Sequence, residues 1–220
     1  MSVNETTKQP ARSRTCGLKD IYIALVQKNE TTEYIASTPV KLARAIKAKI
    51  DEKWSSEKIY SDDGTEEVIT SYEGTNVELE INALAPQDRA ILYGQLYKHG
   101  FLVKTSDDRA PEVAIGWRER KLNGKYEFKW LYVGKFAEGI SEEAATKEGK
   151  LSPSTKSIKG SFYERSIDNR YEISVDESNL VTEDTDAAEA IKNWFSEVQE
   201  YPDAADNENV AGEQEEQTGE

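Results

Sequence analysis

The sequence predicts a mainly β fold with a smaller helical part, in the α+β class. Apolar and polar residues alternate along several segments, as they do on strands with one buried face. Two turn sequences, Asp62-Asp63-Gly64 and Asn123-Gly124, separate such segments and are typical of β-hairpins. Apolar residues at helical spacing are clear in only two places, after Pro86 and before Gln199.

The strands follow from these patterns in chain order. Residues 21–26 are apolar at both alternating sets of positions, so we expect a strand that is buried on both faces. Residues 77–81 place three apolar side chains on one face and Glu78 and Glu80 on the other, which predicts a half-buried strand. Further strands are expected at residues 59–61, 68–72, 113–121, 125–135, 157–165 and 170–175.

Residues 40–54 fit two structures. Their apolar residues recur at helical spacing, and the frequent Ala and Lys favour a helix. The same segment also fits a strand, with Lys47 and Lys49 on its polar face and Ile46 and Ile50 on the other. Periodicity alone does not decide between the two.

Two helices are predicted more clearly. The first begins at Pro86, because a proline at the first helical position lacks only an N–H that would have no helical partner. Gly100 is expected to end this helix. The second helix carries an apolar stripe that includes Trp194 and Val198, so we expect it to dock against the sheet.

Composition divides the chain into a body and two polar ends. We interpret residues 1–15 as a flexible arm, residues 16–200 as one β domain and residues 201–220 as an acidic disordered tail. The formal net charge is −14, and half of it lies in residues 203–220, which hold seven acidic residues and no basic ones. Because phosphate binding depends on Lys and Arg, this chain is not expected to grip DNA.

The sequence offers no catalytic or metal-binding pattern. His99 is the one histidine and has no recognisable nucleophile and carboxylate arranged around it. Cys16 is the one cysteine, so it has no second thiol with which to hold a metal. Gly134 and Gly139 are isolated and do not form a phosphate-binding loop. We therefore expect neither an enzyme nor a cofactor.

Several segments of residues 17–201 resemble the major tail protein family of long, flexible-tailed phages that infect Gram-positive bacteria. The segment LYVGKF at residues 131–136 matches the family pattern best, and the opening strand GLKDIYIA lies at residues 17–24. The segments SIKG at residues 157–160 and YEISVD at residues 171–176 follow in the family's order. The chain departs from the family in its Ala- and Lys-rich second strand and in its long acidic tail.

The resemblance implies a β-sandwich- or barrel-like tail-tube fold with one flanking helix and a C-terminal helix, and it favours a strand for residues 40–54. Six subunits would form a ring, and stacked rings would form the virion's tail tube, through which DNA is ejected into the host. Besides further copies of the chain, the implied partners are the tape measure protein and the tail terminator. The family has no enzymatic activity and binds no cofactor.

Two groups of residues are hypotheses for assembly. The charged hairpin has little apolar surface to hold it to its own core, so its tip is expected to contact the neighbouring ring. Glu78 and Glu80 are expected to face the channel, beside Lys47 and Lys49 on an adjacent strand, where opposite charges would pair. An outer, solvated surface explains this polar face nearly as well. The residues of the hairpin tip are Ser61, Asp62, Asp63, Gly64 and Thr65.

Two other classes of function remain open on sequence grounds. An isolated β-sandwich that serves as a binding or adhesion module fits the composition and the strand pattern. A small enzyme fits less well, since few titratable groups suggest a common site. A tube subunit should form rings or tubes at rest, whereas a binding module should stay monomeric.

Overall fold

Strands dominate the computed structural model, which describes residues 10–42, 45–61, 64–142 and 155–201. Ten strands join in one antiparallel sheet, so the predicted mainly β class is confirmed. The elements are β1 (Thr15–Glu30), β2 (Glu33–Ala36), β3 (Val40–Lys41), β4 (Ala45–Ser61), β5 (Gly64–Ile81), α1 (Pro86–Tyr93), β6 (Leu96–Lys98), β7 (Phe101–Val103), β8 (Val113–Lys121), β9 (Tyr126–Lys135), β10 (Ser141–Glu142), β11 (Lys156–Tyr163), β12 (Glu172–Asp176) and α2 (Thr185–Lys192). Residues 1–9 of the predicted arm and residues 202–220 of the predicted tail lie outside the described residues.

The sheet runs in the order β2-β1-β8-β9-β11-β5-β4. Off this path, β3 pairs with β1, β10 with β11, and β12 with the first half of β9. The hairpin predicted at Asn123-Gly124 joins β8 to β9, and Gly124 takes a positive φ of 84° there. Strands β6 and β7 form a separate small hairpin.

Both faces of the central strands are buried, in two apolar clusters. The first cluster contains Leu79 of β5, Ile115 of β8 and Leu131 of β9, and the second contains Trp130 of β9 and Trp194 near the C-terminal end. Successive side chains of a strand point to opposite faces, so β9 contributes to both clusters. The prediction for residues 21–26 also holds, since β1 sends Ile21 and Ile23 into the first cluster and Ala24 into the second.

Two glycines let large rings lie directly on the sheet. A Cβ at Gly116 would approach the ring of Trp130 to 2.5 Å, and a Cβ at Gly134 would approach the ring of Phe162 to 2.2 Å. Both separations are far shorter than van der Waals contact. The two positions therefore require glycine for packing, because a side chain would displace a buried aromatic ring.

Most of the described part of the ambiguous residues 40–54 is in strands. After β3, strand β4 begins at Ala45 and pairs with β5 along its whole length, while residues 43–44 lie outside the described part. Ala48 and Ile50 pack against the first apolar cluster, which a strand allows and which outweighs the helical preference of Ala and Lys.

Helix α1 begins at Pro86, as predicted, but ends earlier than predicted. It stops at Tyr93 because Gly94 adopts the left-handed conformation, with φ at 66°. Gly100, the predicted helix end, lies instead in the turn between β6 and β7, where His99 also has a positive φ of 52°. Consecutive residues at positive φ suit a tight hairpin turn, so the prediction for Gly100 was wrong.

The C-terminal segment docks against the sheet mainly through residues that follow α2. Helix α2 itself has no buried residue, whereas Trp194 is 1 % exposed. The indole N–H of Trp130 donates to the carbonyl of Trp194 over 3.0 Å, and the hydroxyl of Tyr132 donates to the carbonyl of Gln199 over 3.1 Å. This part of the chain therefore packs against the sheet, but the prediction of a docking helix that includes Trp194 and Val198 was wrong, because α2 ends at Lys192 and both residues follow it. In the described part, no helix is long and apolar enough to cross a membrane.

Candidate interaction surfaces

The outer part of the β4–β5 hairpin extends beyond the body of the sheet. Strand β11 pairs with β5 only at Thr75–Ile81, and no described strand flanks residues 55–61 and 64–71, which we call the distal hairpin. At about 3.3 Å per residue, its seven paired residues reach about 23 Å. The described side chains at residues 56–58 and 68–71 are all exposed. The distal hairpin therefore stands free of its own core.

Two apolar side chains on the distal hairpin are exposed on opposite faces. Val68 is 49 % exposed and Ile69 is 45 % exposed, and they are consecutive residues of a strand. They lie opposite Lys58 and Glu57, so no second apolar side chain of the described ribbon covers them. A two-stranded ribbon is only marginally stable by itself in water. A surface of another molecule could stabilise it.

An aromatic cluster fixes the point at which the distal hairpin leaves the body. The rings of Tyr72 and Tyr171 stack at 4.1 Å, and Trp54 packs edge-on against Tyr72 at 5.3 Å. Burial raises the pKa of Tyr72 to about 12, and its hydroxyl hydrogen-bonds Thr75. Trp54 remains 53 % exposed. The cluster anchors the base of the hairpin and leaves one indole ring accessible.

The sequence-predicted contact residues lie at the tip of this hairpin. Ser61 ends β4 and Gly64 begins β5, and the two pair across the turn. Thr65 follows in β5, opposite Tyr60. Asp62 and Asp63 lie outside the described residues. The hairpin register thus puts the described members of the predicted set at the far end of the distal hairpin.

The four residues predicted to face the channel lie on one face of the sheet. Lys47 is directly opposite Glu80, and Lys49 is directly opposite Glu78. The Lys47 ammonium lies 3.7 Å from the Glu80 carboxylate, so this cross-strand pair forms as expected. Lys49 instead contacts Asp51 on its own strand at 2.5 Å, and this carboxylate raises the pKa of Lys49.

Strand β11 continues the polar face beside Glu78. The Ser157 hydroxyl donates to Glu78 over 3.1 Å, and the Lys159 ammonium lies 3.9 Å from the same carboxylate. The sequence analysis missed both residues, because only the register of β11 on β5 shows that they are neighbours. Across the three strands the lysines are matched by carboxylates, so this face is not a cationic stripe. Exposed ion pairs of this kind contribute about 0–1 kcal/mol each.

A buried arginine, also missed by the sequence analysis, ties down the C-terminal segment. The guanidinium of Arg165 donates two hydrogen bonds of 2.7 Å to Asp168 and one of 2.6 Å to Glu200, and it lies 4.2 Å from the ring centre of Tyr132. Burial raises the pKa of Asp168, but the hydrogen bonds from Arg165 and from the backbone N–H of Arg170, together with the charges of both arginines, hold that pKa below its ordinary value. Arg165 is 3 % exposed.

The residues considered for catalysis do not form a site. His99 lies in the β6–β7 turn, and Cys16 is an exposed residue near the start of β1. Among the described residues, no three His, Cys, Asp or Glu side chains are grouped so that they could hold a metal ion. Among the described residues, the candidate interaction surfaces are therefore the distal hairpin and the polar sheet face.

No protein-family model matches this chain, and no curated protein matches it either. Among solved structures, it is similar to the sheath–tube complex of an extracellular contractile injection system, PVC, in the extended state, with 6 % identity, a TM-score of 0.38 and coverage of 71 % of this chain and 88 % of that one. It is also similar to the tube-terminating cap of the anti-feeding prophage, with 7 % identity, a TM-score of 0.41 and coverage of 79 % and 99 %. The third similar structure is the sheath/tube terminator of PVC in the extended state. It has 7 % identity and a TM-score of 0.39, and the match covers 75 % of this chain and 99 % of that one. Likenesses this remote assign no role to any residue.

Proposed function

We propose that this chain is a structural virion protein, the subunit of a phage tail tube. The observation that carries the proposal is the distal hairpin, a ribbon of about 23 Å that exposes Val68 and Ile69 on opposite faces. A monomeric protein gains nothing in packing from such a ribbon, whereas a polymer can bury it. The resemblance of residues 17–201 to phage major tail proteins supports the same function.

Rings form through the edges of the sheet. The main path of the sheet ends at β4 on one side and at β2 on the other. Unpaired strand edges invite pairing with another chain, and a head-to-tail contact between different edges closes into a ring. We take the number of subunits as six from the family resemblance alone.

Rings stack through the distal hairpin. Its tip, with Ser61, Gly64 and Thr65, is the end of the distal hairpin that is not flanked by other described strands, and it would contact a subunit of the next ring. Asp62 and Asp63 belong to the same proposed contact. A stack of rings joined in this way grows in one direction, as a tube requires.

The polar sheet face lines the channel. Lys47, Lys49, Glu78 and Glu80 lie on it together, and their charges are largely matched within the subunit. A wall without free cations lets DNA pass without tight binding, because phosphate affinity comes chiefly from unpaired Lys and Arg. An outward orientation of this face is the competing arrangement. The tape measure protein and the tail terminator complete the assembly as partners in the virion.

Electron microscopy of the purified protein tests this function. Negative staining should show rings or tubes, and classification of end-on views should give sixfold symmetry. A protein that remains monomeric at high concentration, with and without nucleating tail components, would contradict the proposal. Another rotational symmetry would contradict only the hexamer.

A binding module is the second candidate function, favoured by one observation. Trp54 is 53 % exposed beside the stacked rings of Tyr72 and Tyr171, which forms an aromatic platform. Such a platform can stack on a flat apolar ligand surface. In that case the protein would be a monomer, and Trp54→Ala would remove ligand binding.

A further inference from the structure

A cavity of about 710 Å³ lies beside the end of α1. It is bounded by the end of α1, by residues 104–110 and by residues 136–140. Phe136 and Ile140 supply apolar walls, while Lys104 and Arg109 line it with cationic side chains. It is large enough to accept several side chains of another molecule.

Two buried polar atoms in the lining of this cavity have no hydrogen-bond partner among the described residues. They are the hydroxyl of Tyr93 and the side-chain oxygen of Gln95. Tyr93 is only 8 % exposed, and burial raises its pKa to about 12, so its hydroxyl stays protonated and can both donate and accept. Buried polar groups in proteins are nearly always hydrogen-bonded. An occupant with polar groups of its own would satisfy both atoms.

The small hairpin β6–β7, which continues from Gln95, exposes an unusual amount of apolar surface. Phe101 is 72 % exposed, Leu96 is 58 % exposed and Val103 is 45 % exposed. Leu96 pairs directly with Val103, and Phe101 pairs with Lys98, so the three apolar side chains share one face of the hairpin. The hairpin joins the cavity lining at both of its ends, since Gln95 and Lys104 line the cavity.

The cavity lining also carries two cationic groups, Lys104 and Arg109. Neither makes an ion pair with a carboxylate of the described residues, although the Arg109 guanidinium donates to the backbone carbonyls of Ser106 and Asp108. Asp108 is nearby, but it accepts hydrogen bonds from the backbone N–H and the hydroxyl of Thr105. Glu138 is a further acidic neighbour of Tyr93. The cavity thus combines cations that lack a carboxylate partner with buried polar atoms that lack a hydrogen-bond partner among the described residues.

We propose that this cavity is the receptor for the distal hairpin of a second copy of the chain. The inference rests on the proposed tube function and names the partner surface for ring stacking. The hairpin tip carries Asp62 and Asp63, which complement Lys104 and Arg109. Its hydroxyl groups and backbone N–H groups suit the unpaired Tyr93 and Gln95.

Apolar contact distinguishes the distal hairpin from other acidic segments of the chain. Val68 and Ile69 are exposed on opposite faces of it, so one of the two can cover the apolar face of β6–β7. Residues 203–220 are equally acidic but contain a single large aliphatic residue, Val210. Occupancy by that tail is the competing outcome of the tests.

The substitution Tyr93→Phe separates assembly from folding. If the hydroxyl bonds a second copy, the variant subunit keeps or raises its melting temperature, while the critical concentration for tube growth rises roughly tenfold, as expected for one lost hydrogen bond. Tyr97→Phe is the matched control, since the Tyr97 hydroxyl contacts Gln87 outside the cavity, and it should leave tube growth unchanged. A lower melting temperature with unchanged tube growth would overturn the inference.

Cysteine cross-linking tests the identity of the occupant. In a Cys16→Ser background, Thr65→Cys combined with Lys104→Cys should give disulfide-linked oligomers after oxidation of assembled tubes. The control pairs Thr65→Cys with Lys192→Cys on exposed α2 and should give none. Tubes that form without the 65–104 cross-link, or that lose their growth when residues 203–220 are removed, contradict the inference but leave the tube function intact. Absence of tubes from the unmodified chain contradicts the tube function itself.

Discussion

Strand β9 and the distal hairpin share antiparallel pairing but differ in what covers them. Both faces of β9 are buried, with Trp130 and Leu131 fully enclosed on opposite sides. On the distal hairpin, Val68 and Ile69 are about half exposed on opposite sides. Hydrogen-bonded ladders therefore form in both regions, but packing stabilises only one of them. The comparison separates residues that hold the subunit together from residues available to a partner.

Two tryptophans give the largest expected contrast. Trp194 is 1 % exposed, so Trp194→Ala should lower the free energy of unfolding by about 3–5 kcal/mol. Trp54 is 53 % exposed, and Trp54→Ala should lower it by less than about 1 kcal/mol. Chemical denaturation of the unassembled subunit measures both values. If both variants lost the same free energy of unfolding, Trp54 at the base of the hairpin would stabilise the subunit as much as the buried Trp194 does.

Arg165 should give the next largest effect. Arg165→Ala leaves Asp168 and Glu200 without their main partner, but both carboxylates keep contact with water, so we expect a loss of about 2–3 kcal/mol, below the range for fully buried pairs. Arg165→Lys should recover part of the loss, because a single ammonium cannot replace the two-pronged contact with Asp168.

The pH dependence of the Arg165 variant sharpens this prediction. The pKa of Asp168 is lower in the folded subunit than in the unfolded chain. The ionised Asp168 therefore contributes fully to the free energy of unfolding above the ordinary carboxyl pKa of about 4, and this contribution is lost as the pH falls through the folded pKa. The difference in stability between the native chain and Arg165→Ala should therefore shrink below about pH 4. A difference that stays constant from pH 7 to pH 3 would mean that packing against Tyr132 carries the effect.

Deletion of the hairpin tip should barely affect the fold. Residues 61–65 are not members of either apolar cluster of the described residues, so their removal should change the free energy of unfolding by less than about 0.5 kcal/mol. Tube growth, followed by light scattering and negative staining, should nevertheless stop. Normal tubes from this variant would refute the proposed role of Ser61, Gly64 and Thr65, together with Asp62 and Asp63.

Charge reversal on the polar sheet face should have the smallest effect on the subunit. Glu78→Lys with Glu80→Lys should leave assembly intact, since both side chains are partly exposed, but should free cations to bind phosphate. DNA ejection from assembled virions should slow, most clearly at low salt, where screening is weakest. Lys47→Glu with Lys49→Glu is the control and should not slow it. Unchanged ejection in the first variant would favour an outward-facing surface.

Most of the strand predictions rested on patterns among residues that are neighbours in the sequence. The alternation at residues 77–81 and the Asn123-Gly124 turn act over two to four neighbouring residues, so they can be recognised without the fold. The prediction for the end of α1 failed for a local reason as well. The predicted end at Gly100 left Gly94 inside the helix, although a glycine can end a helix by adopting a positive φ, as Gly94 does.

Sequence by itself determined the β class, the two main hairpins and the alternation that puts Glu78 and Glu80 on one polar face, because each depends on neighbours along the chain. Only the tertiary structure decided that residues 45–54 are a strand, since pairing with β5 outweighs their helical preference. It also decided the Arg165 contact with Glu200, the stacking of Tyr72 on Tyr171 and the unpaired hydroxyl of Tyr93. These features join residues distant in sequence or depend on burial, and no local pattern encodes which distant segments will meet.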